Sequence, residues 1–252
     1  MNERGQGEQR VWEGGKGAPL LYLHGFEQHP GGAGFLRLLA EHHAVRAPEF
    51  PGYGESGGFE RLRDVTDVVL TYRRLIEDWG GGPGDLIGHC LGGMFAAEIA
   101  AFCPHLVRRL VLVNAYGLWL DAHPMPDPFV MTPDALAAAK FHDPAWAARE
   151  PNVFAGSAAD AAIVRTGNLA IATKFMWPVA DRGLARRLPF IHAPTLVLHG
   201  VSDGLVPLPH AAAFARLIPD ARVQTIAAAG HLPMVEAEDK FVSAVERFLT
   251  PG

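Results

Sequence analysis

Three side chains of this 252-residue sequence could together carry out acyl-transfer chemistry. Cys90 sits in "LIGHCLGGMFAAE", Leu86 to Glu98, with Gly88 and Gly92 two positions to either side. An apolar run ends at Cys90 and a helical pattern begins after it, so G-x-C-x-G describes a sharp strand-to-helix turn. Such a turn holds a nucleophile in a strained backbone conformation, and glycines at the flanking positions avoid clashes where strand and helix cross. The N–H of Leu91, at the helix N-terminus, then points toward a developing oxyanion. A buried structural cysteine in a Gly-rich turn is the plainer alternative, because free Cys also behaves as a small hydrophobe.

Two further residues complete the set. "HGVSDGLVP" (His199 to Pro207) places Asp203 just after an apolar run, and "AAAGHLPMVE" (Ala227 to Glu236) does the same for His231. "LHGF" (Leu23 to Phe26) ends an earlier run and offers the N–H of Phe26 as a second oxyanion donor. Each alone is an ordinary loop feature. Together they follow the order nucleophile, acid, histidine, each past the C-terminal end of a strand, where α/β sheets place their sites.

The elements that must position these residues alternate along the chain. "PLLYLHG", "HAVRAPEF", "DLIGH", "RLVLVNA", "PTLVLHG" and "RVQTIAAAG" read as strands, most of them apolar on both faces as in a parallel sheet. Amphipathic helices are expected at Phe35 to Glu41, Val65 to Trp79, Gly92 to Phe102, Pro209 to Ile218 and Asp239 to Leu249. The alternation implies right-handed crossovers and an α/β, mostly parallel, doubly wound sheet. Residues 116–188 break the pattern with prolines, Ala-rich stretches and large apolar side chains. They read as a mostly helical insertion, in which Thr132, Pro133 and Asp134 open a helix. The core domain is then 1–115 with 189–252.

"HGF", "PGYGES", "GHCLGG", "SDGLVP" and "GHLPMVE", taken as a set, resemble the α/β-hydrolase fold family from about Pro19 to the last helix. The resemblance implies a cap inserted after the sixth strand, and in its cap-flanking phrases the chain is most similar to meta-cleavage-product hydrolases and related esterases. Two departures stand out: Cys90 replaces the usual Ser, and Glu27 brings a carboxylate next to the oxyanion loop, where it must point to solvent to be harmless. The family has precedents for an elbow Cys in dienelactone hydrolases and in polyhydroxyalkanoate synthases. Its members with an elbow Asp, epoxide hydrolases and haloalkane dehalogenases, use ester-intermediate chemistry that a thiol does not mimic.

A free thiol titrates near ~8.5 and is more acidic beside a protonated histidine or a helix N-terminus. A Cys90 thiolate paired with protonated His231, steadied by Asp203, would attack a carbonyl. The product is a thioester acyl-enzyme, from which His231 activates water or another acceptor. The leading expectation is a cofactor-free, esterase-like hydrolase acting on small or medium apolar esters or activated carbonyl compounds, including lactone or carbon–carbon bonds. An acyltransferase sharing the acyl-enzyme, a non-catalytic ligand receptor, and a serine-to-cysteine exchange that traps the acyl group all remain open. Trp119, Met131, Phe175, Met176 and Trp177 of the insertion, with Leu205 and Val206 beside Asp203, are the expected substrate-lining residues. Arg165, Lys174 and Arg182 keep a carboxylate-bearing substrate possible.

Composition sets outer limits. Of the residues 49% are hydrophobic and 19% charged, which suits one large domain with a substantial core. A formal charge of -5 without a Lys/Arg run argues against nucleic acid. The polar start and the lack of a bilayer-length apolar run predict a soluble, cytoplasmic monomer or homodimer without membrane contact. Cys90 and Cys103, roughly 18 Å apart on a helix, exceed the ~7 Å reach of a disulfide. "GYGESG" (Gly52 to Gly57) has dinucleotide-fingerprint spacing, but no helix opens at its third glycine to hold a pyrophosphate. No HExxH or paired Cys/His spacing marks a metal site. His89 is expected to pack and hydrogen-bond, and His42 and His43 to lie at the surface.

Overall fold

A computed structural model describes residues 9–79, 82–149, 158–177 and 181–250. Seven strands form one sheet: β1 (Val11–Gly14), β2 (Ala18–Leu23), β3 (His43–Pro48), β4 (Gly84–His89), β5 (Val107–Val113), β6 (Thr195–Gly200) and β7 (Ala221–Ile226), in the order β1-β3-β2-β4-β5-β6-β7. Only β1 runs antiparallel, pairing Val11 with Pro48 at the edge. Strands β2, β4, β5 and β6 are buried on both sides, which is why they read as continuous apolar runs.

Helices α1 (Gly34–Leu39), α2 (Val65–Asp78) and α3 (Leu91–Phe102) accompany the first half of the sheet. Between β5 and β6 lie α4 (Pro133–Lys140), α5 (Ala158–Met176) and α6 (Leu184–Arg187), and α7 (Pro209–Leu217), α8 (Pro233–Glu236) and α9 (Glu238–Leu249) follow β6 and β7. The helical segment thus follows the fifth described strand rather than a sixth, because a single short strand precedes β2. Two apolar cores sandwich the sheet. Leu21, Leu86, Leu110 and Leu112 face α2, α3 and α7, while Tyr22, Ile87, Val111 and Leu198 face α1 and α9.

Strand β1 and helix α8, four residues each, carry no period long enough to read. Thr132 caps α4 through Ala135 N–H, as its sequence predicts. His43 contradicts expectation: it is buried and bonds Glu246 of α9 at 3.1 Å, because β3 turns it inward. No described helix is long and apolar enough to cross a membrane. Both cysteines are buried and free.

Candidate active site

Cys90 occupies the turn between β4 and α3 with φ 51° and ψ −116°, a conformation that L-residues adopt only under strain. The turn is fixed from three sides. Cys90 N–H donates to Val113 O, and Cys90 O accepts from Met94 and Tyr116 N–H at 3.1 and 3.0 Å. Both flanking glycines are required by contact: a Cβ on Gly88 would come within 2.4 Å of Gly92 O, and one on Gly92 within 2.3 Å of Leu23 O. Gly92 N–H also donates to His24 O at 3.1 Å, tying the elbow to the loop after β2.

Asp203 and His231 meet beside this turn. His231 Nδ1 donates to Asp203 Oδ2 at 2.8 Å. The other carboxylate oxygen accepts from Leu205 and Val206 N–H at 2.8 and 3.0 Å. Oδ2 takes a further bond of 2.6 Å from Asn114 Nδ2. Four donors therefore hold one buried carboxylate. Burial alone would raise the Asp203 pKa, but the charge and hydrogen bond of His231 hold it below the ordinary carboxylate value.

His231 is 1% exposed. Its Nε2 makes no hydrogen bond of full geometry among the described residues, while Cys90 stands close enough for its charge to act on the ring. Burial opposes the charged imidazole, yet Asp203 and then Cys90 outweigh it and lift the pKa to about 10. His89 packs with its ring tilted 54° at 4.9 Å from the His231 ring, bonds its carbonyl through Nε2 at 2.8 Å, and is driven by burial down to about 3, so it stays neutral. His89 thus packs and hydrogen-bonds, as its position predicts.

The end of α4 supports the loops that carry Asp203 and His231. Lys140 O accepts His231 N–H at 2.6 Å, and Ala139 O accepts Gly204 N–H at 2.9 Å. The N–H groups of Leu91 and Phe26 have no hydrogen-bond partner among the described residues, whereas neighbouring polar groups in the loop after β2 do. Tyr53 Oη donates to Phe26 O at 2.7 Å, and the His24 ring bridges Gly25 O and Phe50 N–H at 2.8 Å each. Among the described residues, then, both expected oxyanion donors lack a partner.

The expected substrate-lining residues scatter. Phe175 and Met176 are fully buried in the core, where Phe175 packs edge-on against Phe95 at 5.3 Å. Met131 is partly buried against the same cluster. Trp119 and Trp177 are 42% and 54% exposed. Leu205 and Val206 turn their side chains into the core and their N–H groups to Asp203, so the structure brings them together as its holder. Phe129, by contrast, packs against Phe26 at 6.0 Å.

The sequence reading missed Asn114, Tyr53 and Lys140. Only "VNAY", the end of a strand with an Asn at its tip, hinted at the first. The "GYGESG" stretch forms a turn with no helix at its third glycine, closed by Gly52 N–H to Ser56 O at 2.9 Å and holding Tyr53 inward. Arg165, Lys174 and Arg182 are engaged with Glu27, Leu62 O and Trp177 O respectively.

Comparison with known proteins identifies relatives of the same fold. A segment of polyketide synthase ThaQ of Burkholderia thailandensis is 28% identical over 97% of this chain, and the chain spans 12% of that synthase. A pimeloyl-[acyl-carrier protein] methyl ester esterase of Xanthomonas oryzae pv. oryzae is 29% identical over 93% of this chain and 96% of its own length. A solved meta-cleavage product hydrolase from Pseudomonas fluorescens IP01 superposes with a TM-score of 0.77 at 20% identity, covering 96% of this chain and 93% of that one. Residues 20–244 match the sequence profile that defines one family, and the chain accordingly belongs to the Alpha/beta hydrolase family.

Proposed function

We propose that this protein is a cysteine-dependent, cofactor-free acyl hydrolase whose triad is Cys90, His231 and Asp203. The observation that carries the reading is the arrangement of His231, which donates Nδ1 to Asp203 and leaves Nε2 for Cys90. Asp203 fixes the tautomer and steadies the imidazolium. The Cys90 thiolate adds to the carbonyl carbon, and the carbonyl oxygen becomes an oxyanion held by the Leu91 and Phe26 N–H groups. Collapse expels the leaving group, which takes a proton from His231, and forms a thioester. His231 then removes a proton from water, hydroxide adds to the thioester, and the acid leaves as Cys90 recovers its charge.

The substrate class is small or medium, largely apolar esters or activated carbonyls. The named esterase relative supports an ester, and Phe26 and Phe129 supply apolar surface beside the triad. Residues 116–188 act in this reading as a cap over the C-terminal edge of the sheet. Transfer of the acyl group to an alcohol, amine or thiol is the second reading, favoured by the 1% exposure of Cys90, which limits bulk water at the thioester. A time course with p-nitrophenyl acetate and butyrate tests the proposal: steady turnover that disappears in Cys90→Ala supports it, and turnover raised by an added acceptor marks the transferase.

A further inference from the structure

Glu27 directly follows Phe26, yet its carboxylate does not reach solvent. The side chain is 9% exposed and forms ion pairs with Lys140 at the end of α4 and Arg165 of α5. Arg165 Nε donates to Oε1 at 3.0 Å. Burial would raise the Glu27 pKa, but the charges of Lys140 and Arg165 outweigh it and keep the group below the ordinary carboxylate value. Glu27 O meanwhile accepts from Asn168 Nδ2 of α5 at 3.1 Å, and the other end of that amide receives Gly54 N–H at 3.0 Å. Side chain and backbone of one residue are therefore gripped by two helices of the segment between β5 and β6.

Lys140 makes this grip part of the site. Its carbonyl holds His231 N–H while its ammonium holds Glu27, so one residue spans the histidine loop and the loop that carries Phe26. Charge-assisted hydrogen bonds fix direction as well as distance. An apolar contact would tether the loop without orienting its peptides.

We propose that Glu27 is a positioning residue for the oxyanion hole: gripped by Lys140, Arg165 and Asn168, it fixes the Phe26 peptide so that its N–H meets the oxyanion formed at Cys90. The proposal rests on the acyl-enzyme reading above. The Glu27 carboxylate is held by Lys140 and Arg165, and in this proposal it acts on the oxyanion through the Phe26 peptide. Displacing a donor weakens only the transition state, so the effect falls on kcat rather than KM.

The test measures two reactions of Cys90 in wild type, Glu27→Gln and Arg165→Met. One is acylation by p-nitrophenyl butyrate, which builds an oxyanion. The other is alkylation by iodoacetamide, in which the thiolate displaces iodide and no oxyanion forms. In both variants acylation kcat should fall about 10–100-fold, as for a displaced catalytic group, with KM within about threefold and alkylation within about twofold of wild type. Acylation kcat equal to wild type in either folded variant overturns the proposal, and so does a parallel loss of alkylation, which indicates general disruption. If Glu27→Gln does not fold, Arg165→Met decides alone, because Arg165 is more than a third exposed and its loss leaves Lys140 on Glu27. A wild type that alkylates but never acylates removes the acyl-enzyme reading and this proposal with it, whereas normal wild-type acylation with unaffected variants removes the proposal alone.

Discussion

Asn114 Nδ2 donates to Asp203 Oδ2 at 2.6 Å, on the same oxygen that receives His231 Nδ1. Asn114 reaches this position through a left-handed backbone, φ 44°, at the tip of β5, and its Oδ1 accepts Gly200 N–H at 3.3 Å. The amide thus joins β5, β6 and the Asp203 carboxylate. Asn114→Ala should cost about 1.5–3 kcal/mol, the range for a hydrogen bond to a buried charged group. Urea unfolding measures this loss, and Asn114→Asp should be worse because it sets two carboxylates together.

The elbow glycines predict a steric failure. Gly92→Ala drives a Cβ to 2.3 Å from Leu23 O and 2.5 Å from His24 O, backbone atoms at the end of β2 and the start of the loop after it. Overpacking of this kind costs about 1–3 kcal/mol or more. Thermal unfolding should show that loss together with slowed acylation, while Gly82→Ala, with open space around it, should show neither.

The titration of the His231–Asp203 pair gives stability a defined pH window. His231 is held up to about 10 in the folded chain, above its ordinary 6.5. Its contribution is fully present below the unfolded value and is lost as pH rises through about 10. Asp203 runs the other way: its folded pKa is lowered, so its contribution is present above the unfolded value and is lost as pH falls through the folded one. His231→Gln should therefore flatten part of the alkaline fall in Tm. Coincident Tm-against-pH curves for variant and wild type would contradict the assignment.

About two turns along α3 from Cys90, Glu98 is 1% exposed and pairs in two-pronged fashion with Arg187 of α6, at 2.6 and 2.5 Å. Arg187→Met leaves the carboxylate buried and unpaired. Loss of one partner from a buried pair costs about 3–5 kcal/mol, with the lower end expected here because the guanidinium is partly solvated. Restoration of stability in the double variant Glu98→Leu/Arg187→Met would identify the unpaired charge as the cause.

The legible parts of this chain were those whose physics is local. The doubly buried strands read as apolar runs, the helices as amphipathic periods, and the elbow as two glycines that steric contact demands. The positions of Cys90, Asp203 and His231 in the fold were readable because each lies in the turn or loop that follows its strand. What stayed hidden depends on partners far away in sequence. Asn114 binds a residue 89 positions on, and Glu27, which seemed harmless only in solvent, is neutralised by Arg165 from 138 positions away. His43 looked like a surface residue until β3 placed it against α9. The lining residues were hard to read for another reason: a large apolar side chain serves a helix's own core as readily as a pocket, and Phe175 and Met176 are buried while Trp119 and Trp177 are exposed.

The central claim is that Cys90 carries the acyl group. Acid-quenching the protein during turnover of p-nitrophenyl butyrate and recording intact mass tests it most directly, with Cys90→Ala beside it. The account predicts one butyryl adduct, located on the Cys90 peptide, removed by neutral hydroxylamine as a thioester is, and absent from Cys90→Ala. An adduct on another residue, or undiminished turnover by Cys90→Ala, would contradict it.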